Sequence, residues 1–347
     1  MAQIYKAFAD GQDILTSDIQ TISQPIWSED MNPWTSSYST GIGWFTSSAQ
    51  LSQSGDYYMN IYHRDPQAVA NAAIQIAVAY GHKQGSGSVG DANTIGNNAN
   101  DTPSRAIYSQ YRNQLLPPAD GIFTFGTVDS NEIIVINVSR ARFRQKVDPG
   151  NWELRLGSGS GANMTGSSNK YSTFIDASGA GETPSVNEGG RVFGIYSGSG
   201  GVTQSNTQYG LFYPDQGVFV FHAGLLRAHL GHPYNSASAV QARNHVTMSL
   251  ALSGSNYFAA RSEEKVNSAH YFVRIQNKEF NFSNNPTFVT GSSGQFLHSS
   301  MVRNPSVYVT TIGMYDTINR LVAVAKLSRP LLKSFNREAL IKVKLDY

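Results

Sequence analysis

The stretch Tyr209-Gly-Leu-Phe-Tyr-Pro-Asp-Gln-Gly-Val-Phe-Val-Phe221 decides the fold class. Two runs of aromatic and β-branched residues, 209–213 and 217–221, flank Pro214-Asp215-Gln216. Such residues suit a pleated, half-buried surface. A short break rich in turn residues between two such runs reads as a β-hairpin. A short helix is expected to follow near residues 224–231.

The same signal recurs on both sides of this hairpin. Upstream, Ile133-Ile-Val-Ile136 sits in a dense β-branched run at 132–138, expected to be a fully buried strand. Ile74, Ile76, Val78 and Tyr80 alternate with Gln75, Ala77 and Ala79, which reads as a strand with one buried face. Residues 57–63 read as another strand, and Asp65-Pro66 as the start of a helix over 66–73. Trp152, Leu154 and Leu156 alternate after an Asp148-Pro149-Gly150 turn. Downstream, 271–275 and 287–289 are strand candidates. Residues 307–311 and 321–326 form a second hairpin around Asp316-Thr-Ile-Asn319, and 339–347 closes the chain as a strand tied into a sheet. The clearest helix carries Ile107, Tyr108, Tyr111 and Leu115 at helical spacing and stops at Pro117-Pro118.

Between these segments lie long polar stretches. Residues 81–101 and 157–207 are rich in Gly, Ser and Asn, the second holding two short strand candidates at 171–175 and 192–196. The expected fold class is therefore mainly β with a few short helices, either sandwich-like or built of mixed antiparallel sheets with long loops. The expected organisation is an N-terminal β-rich region at 1–156 with an aromatic arm and one helix, a Gly/Ser-rich loop region at 157–207, and a C-terminal antiparallel β domain at 208–347.

Charged residues make up 14% of the 347, against about 25% in ordinary soluble chains. With 40% apolar residues this balance argues against disorder. It fits a surface that meets other protein, because interface cores are poor in charge, and it fits equally a neutral soluble β protein. The 26 basic and 24 acidic residues give a net charge of +2, no footprint for nucleic acid. Cysteine is absent, which removes disulfides, thiolate zinc sites and thiol nucleophiles. The longest nearly apolar run, 68–80, falls short of the ~20 residues of a membrane span. The first residues, Met1-Ala-Gln-Ile-Tyr5, have no signal-peptide layout, so assembly in a cytoplasm is the expectation.

Two features stand out as interaction candidates. Trp27, Trp34 and Trp44 gather in a segment without periodicity, beside Pro25 and Pro33. Their rings either pack onto a neighbouring subunit as an arm or cap the chain's own core. Arg140, Arg142, Arg144 and Lys146 follow at intervals of two. In an extended chain they line one face, which either meets an acidic or phosphate surface or is simply solvated.

Catalytic patterns are weak. His229 and His232 are three apart with no acid between them, unlike a zinc-protease helix. His222 and His229 would share a helix face only if Gly224 and Gly231 allowed a long helix. Gly157-Ser-Gly-Ser-Gly161 matches a nucleophile elbow in letters, without the strand-to-helix frame the hydroxyl needs. Gly85-Ser-Gly-Ser-Val-Gly90 lacks the following helix that a phosphate cradle requires. Glu263-Glu264 and Asp13 with Asp18 are available carboxylates, but nothing places two across a cleft. No enzyme and no cofactor are expected, while the aromatics leave sugar binding open.

Two regions resemble a known family. The C-terminal block reads Phe272-Val-Arg-Ile-Gln-Asn-Lys-Glu-Phe-Asn-Phe-Ser-Asn-Asn-Pro-Thr-Phe288. It continues Tyr308-Val-Thr-Thr-Ile-Gly-Met-Tyr-Asp-Thr-Ile-Asn-Arg-Leu-Val-Ala-Val-Ala-Lys-Leu-Ser-Arg-Pro330 and closes with Ile341-Lys-Val-Lys-Leu-Asp-Tyr347. This resembles the C-terminal part of virion structural proteins of contractile-tailed bacteriophages related to the enterobacterial myophages, particularly those of marine cyanobacteria. Residues 57–82, Ala106-Ile-Tyr-Ser-Gln-Tyr-Arg-Asn113 and 138–156 are similar to the same group. The hairpin tract 311–326 is shared by unrelated tail and fibre proteins; Asn281-Phe-Ser-Asn-Asn-Pro286 is the more particular part. The resemblance implies a non-enzymatic virion component of the tail or baseplate. Its partners would be other virion proteins, in a homo-oligomer or a symmetric hetero-assembly. A receptor- or carbohydrate-binding module of a tail and a head–neck protein are the alternatives. Residues 157–207 have no counterpart in the resemblance.

Overall fold

A computed structural model describes residues 5–9, 12–27, 45–46, 58–62, 66, 68, 70–85, 103–157, 171–177, 183–230, 244–255, 257–282, 286–291 and 293–347. The chain divides into two units, residues 22–264 and residues 1–21 with 265–347. In chain order the first strands are β1 (Ile14–Pro25), β2 (Phe45–Thr46), β3 (Tyr58–Tyr62) and β4 (Ile74–His82). Helix α1 (Pro103–Leu115) and the small hairpin of β5 (Phe123–Phe125) and β6 (Val128–Ser130) lead into β7 (Glu132–Val138). Next come β8 (Lys146–Gly157), β9 (Tyr171–Asp176), β10 (Ser185–Asn187), β11 (Gly190–Ser199), β12 (Val202–Tyr213) and β13 (Val218–His222). Helices α2 (Ala223–Leu226) and α3 (Asn244–Ser255) precede β14 (Phe258–Ile275).

The larger unit is built on one antiparallel sheet, in the order β14–β8–β9–β11–β12–β13–β7–β4–β3–β2, with β10 paired outside β11. The chain lays down β2, β3, β4 and β7 side by side, then jumps to β8 at the far side. It returns through β9, β11 and β12, so that β13 pairs with β7. This sheet is strongly curled. Trp152 of β8 and Phe219 of β13 are four strands apart in sheet order, which would separate them by about 19 Å in a flat sheet at ~4.8 Å per strand. Their rings are 4.7 Å apart. Phe219 also meets Phe258 of β14 at 5.7 Å and stacks on Phe212 at 4.5 Å.

The inside of the curl is the main core. Ile76, Val78, Ile134, Ile136, Phe174, Leu154 and Phe221 line it, and Met248, Ala251 and Leu252 of α3 fill it. On the opposite face of β4 and β7, α1 packs Ile107, Tyr108, Tyr111 and Leu115 against Ala79, Ile133 and Val135. The strand β7 is buried on both faces as its composition requires. So is β4, contrary to the single buried face expected from its alternation, because Ala79 is small enough to admit a helix on the second side. Gly81 makes that approach possible: a Cβ there would lie 2.9 Å from the Tyr108 backbone nitrogen. The buried Tyr108 hydroxyl donates to the Ser130 carbonyl at 2.8 Å and accepts from the Phe123 N–H at 3.1 Å, which fastens the small hairpin to the helix.

The smaller unit continues with β15 (Val289–Thr290), β16 (Gln295–Phe296), the single turn α4 (Ser300–Arg303), β17 (Val307–Tyr315), β18 (Leu321–Lys333) and β19 (Ala339–Asp346). β19 pairs with β14 from Ser268↔Asp346 to Ile275↔Ala339, so the C-terminal strand is tied in as expected. β17 and β18 form the second hairpin. In its turn, the Asp316 carboxylate accepts from the N–H groups of Ile318 and Arg320 at 3.0 and 2.8 Å. Lys333 is fully buried and donates all three protons, to the Asn277 carbonyl, the Asn281 side chain and the Ser334 carbonyl at 2.9, 2.8 and 3.2 Å.

The fold is mainly β with a few short helices, as the sequence indicates, though the large sheet curls on itself where a stacked sandwich was one expectation. Several local expectations need correction. The boundaries at 157 and 207 do not separate the units: β9, β10, β11 and half of β12 fall inside 157–207, where glycine serves strand bulges and tight turns as well as loops. Nor is 208–347 one domain, since 208–264 belongs with the larger unit. Residues 286–288 form a 3-10 turn instead of a strand. Among 66–71 the described residues take turns; a stretch of small alanines offers a short helix too little apolar surface to bury. Asp148-Pro149-Gly150 does not reverse the chain. It lies within β8, where it forms the bulge described next.

Candidate binding surfaces

The residues nominated from sequence do not gather into one site. Trp27 packs on its own unit's core, its ring 5.2 Å from Phe258 and its indole N–H donating to Gln75 Oε1 at 3.1 Å. Trp34 and Trp44 lie outside the described residues. The cationic row is broken, because Arg140–Arg142 is a 3-10 turn and not extended strand. Arg140 is turned back over the Phe143 ring at 4.7 Å and donates to the Phe143 carbonyl. Arg142 is half-buried, and exposed Arg144 pairs with Glu264 at 3.3 Å. Lys146 is buried against Glu263 at 2.7 Å. Glu263 and Glu264 are thus each neutralised by a different cation, and they form no acid pair.

A groove does exist on the larger unit, and the Asp148-Pro149-Gly150 segment makes it. Opposite β14, the register of β8 jumps from Ala260↔Trp152 to Ser262↔Val147, so residues 148–151 bulge out across from Arg261. Gly150, at φ +79°, supplies the left-handed backbone the bulge needs. Its N–H and the Trp152 indole N–H both donate to Asp176 Oδ2, at 3.0 and 2.7 Å. Asp148 accepts from Ser23 and Asn151 at 2.7 and 2.9 Å, and Arg261 donates to the Ser23 hydroxyl and carbonyl at 3.0 and 3.1 Å.

The resulting cavity has a volume of about 480 Å³. Trp27, Trp152 and Tyr257 give its walls aromatic surface; Asn151, Glu153 and Arg261 give it polar groups. The Gly200-Gly201 turn between β11 and β12 forms the rim. Glu153 Oε1 is held by Arg155 at 2.7 and 2.8 Å. Among the described residues its Oε2 takes only long bonds of 3.4 Å, from Ser199 Oγ and the Gly200 N–H. The Arg155 guanidinium in turn lies 3.8 Å from the Tyr257 ring centre. Glu153 is the single carboxylate among the described residues lining the groove. Glycoside cleavage ordinarily uses two.

Three of the described histidines, His222, His229 and His82, make hydrogen bonds within the fold. His222 caps α2, accepting from the Leu225 N–H at 3.2 Å. His229 links Ser172 Oγ at 2.8 Å to Tyr209 Oη at 3.2 Å, but Ser172 sits in the β8–β9 ladder and not on a strand-to-helix turn. His82 accepts from the Gln84 N–H at 3.2 Å. His232 lies outside the described residues. Among those described, no three histidine, aspartate or glutamate side chains converge on a metal site. Burial lowers the pKa of His82, His222 and His229 below the ordinary 6.5, while the Glu132 charge opposes this for His82 and His222. The folded chain therefore binds fewer protons than the unfolded chain once pH falls below about 6.5. This stability is fully present above 6.5, is lost on acidification, and has gone below the depressed folded values. The melting temperature is expected to drop between pH 7.5 and 5.5. Replacing all three by Asn, which keeps an acceptor and removes the titration, should flatten that drop; an unchanged pH slope would assign it elsewhere.

No protein-family model, curated protein or solved structure matches the chain. No helix among the described residues is long and apolar enough to cross a membrane.

Proposed function

We propose that this chain is a non-enzymatic structural subunit of a virion, held by protein–protein contacts in the tail or baseplate of a contractile-tailed phage. The observation that carries the assembly role is the outer face of the β17–β18 hairpin. Val309, Ile312, Leu327 and Leu331 turn to the small core around Ile275, Ala339 and Ile341. The other side leaves Tyr308, Ile318, Leu321, Val322 and Val324 between 54% and 68% exposed. Apolar surface grouped in this way on a two-stranded ribbon marks a contact with other protein. The low charge of the chain and its 18 Tyr and 17 Phe agree with a subunit wedged between neighbours. The phage assignment rests on the resemblance of the C-terminal block, which includes this hairpin.

The test is incorporation. Val322→Lys with Val324→Lys is expected to leave the unfolding free energy within ~1 kcal/mol of the parent's, since exposed positions tolerate change. The same variant should fail to enter particles. Density from purified virions should place the parent chain in the tail, in copies set by three- or six-fold symmetry. Normal incorporation of the variant, or absence of the chain from every particle, would overturn the reading.

A further inference from the structure

We propose that the groove beside the β8 bulge is a binding site for a neutral saccharide of one or two rings. A pyranose presents an apolar face of axial C–H bonds and a rim of hydroxyls that both donate and accept. The groove offers the counterpart of each: aromatic wall from Trp27 and Tyr257, and hydrogen-bonding groups from Asn151, Glu153 and Arg261. Its volume of about 480 Å³ is that of a small-molecule site. The polar groups are also held in place before any ligand arrives. Arg155 fixes Glu153 Oε1, which leaves Oε2, with its two 3.4 Å contacts, able to accept a sugar hydroxyl. Ser23 fixes Arg261, and Asp148 fixes the Asn151 amide. Preorganised groups of this kind lose little freedom on binding.

The charge around the groove argues against an anionic ligand. Asp148, Glu153 and Asp176 stand against Arg155 and Arg261, and the Glu153–Arg155 pair is internally satisfied. No unbalanced cation is offered to a phosphate. An apolar peptide side chain would bury Glu153 Oε2 without a proton donor, at a cost a sugar hydroxyl avoids. The groove and the hairpin surface share no residue, so the two readings stand or fall independently.

The experiment is calorimetric titration of the full chain with maltose, lactose, cellobiose and N,N′-diacetylchitobiose in turn, with two variants. Ala259 lines the groove and pairs across the ladder with Glu153, so Ala259→Trp fills the cavity without emptying the core. Glu153→Gln keeps the shape and removes the charge. At least one of the sugars should bind saturably at one site per chain. Ala259→Trp should abolish that binding, and Glu153→Gln should weaken it roughly tenfold, the effect of one lost charge-assisted hydrogen bond. Both variants should unfold cooperatively like the parent. Absence of saturable binding for all of these sugars, or binding that survives Ala259→Trp in a folded chain, would overturn the proposal.

Discussion

Replacing Glu263 by Leu is expected to destabilise the larger unit by about 3–5 kcal/mol, because it removes the carboxylate in contact with the buried Lys146 ammonium. The two residues face each other directly across the β14–β8 ladder, with 2.7 Å between Nζ and Oε1. Their side chains are 6% and 9% exposed, so solvent cannot take over from a missing partner. Lys146→Met should cost a similar amount for the converse reason. The double variant Lys146→Met with Glu263→Leu should recover most of the loss. Removing both charges also removes both desolvation penalties, and apolar replacements of similar volume are often neutral or stabilising. A urea-denaturation cycle over the four proteins measures the coupling. Single substitutions costing under ~1 kcal/mol would mean that Lys146 finds another acceptor. Nearby, Arg191 and Asp215 are also 2.7 Å apart but about a third exposed, so Arg191→Ala should cost no more than ~1 kcal/mol.

This pair shows where sequence reading stops. Lys146 completes a period-two row of cations, which share one face only if the chain is extended. The first three members instead sit on and beyond a 3-10 turn, which period-two spacing cannot distinguish from extended chain over so few residues. The partner of Lys146 depends on which strand pairs with β8 and in what register, and that register is set by the bulge at 148–151. Strong local signals did survive: the hairpins at 209–221 and 307–326, the buried β7, the helix ending at Leu115 and the closing strand all form where their patterns place them.

The clearest omission was α3. Val246, Met248, Leu250 and Leu252 alternate with His245, Thr247, Ser249 and Ala251, a spacing with no helical stripe. In the fold, Met248, Ala251 and Leu252 meet the core at helical spacing, and Thr247 and Ser249 are buried while Leu250 is half exposed. Packing against the curled sheet overrode the pattern, as tertiary context does for weak local signals. The groove was illegible for a related reason. Its walls come from β8, β14, the β11–β12 turn and the segment at Trp27. Each is unremarkable alone, and only the curl brings them together. The Asp-Pro-Gly signal was visible, but it reads as a turn unless the strand is known to continue past it.

The ring that bridges the curl is Trp152, and its removal is the second large effect expected. Trp152→Ala should cost about 3–5 kcal/mol, the usual range for emptying a large aromatic site. The indole is 4% exposed and touches Phe212 and Phe219 at 5.3 and 4.7 Å, bridging strands that are not neighbours in the sheet. Trp152→Phe separates packing from hydrogen bonding. It keeps an aromatic ring against Phe219 but takes the indole N–H away from Asp176, which then keeps only the Gly150 N–H of the two donors described. A charge-assisted bond of this kind is worth about 1.5–3 kcal/mol, so Trp152→Phe should lie between the parent and Trp152→Ala. Adding Asp176→Asn to Trp152→Phe should then cost less than Asp176→Asn alone, because the bond it would weaken has already gone. Equal costs in the two backgrounds would mean that the indole–carboxylate bond contributes nothing. A Trp152→Ala chain within ~1.5 kcal/mol of the parent would place the origin of the curl in the strands themselves, through their twist and bulges. In that case the β8, β12 and β13 ladders should keep their hydrogen-exchange protection in the variant, whereas a curl pinned by Trp152 should lose it.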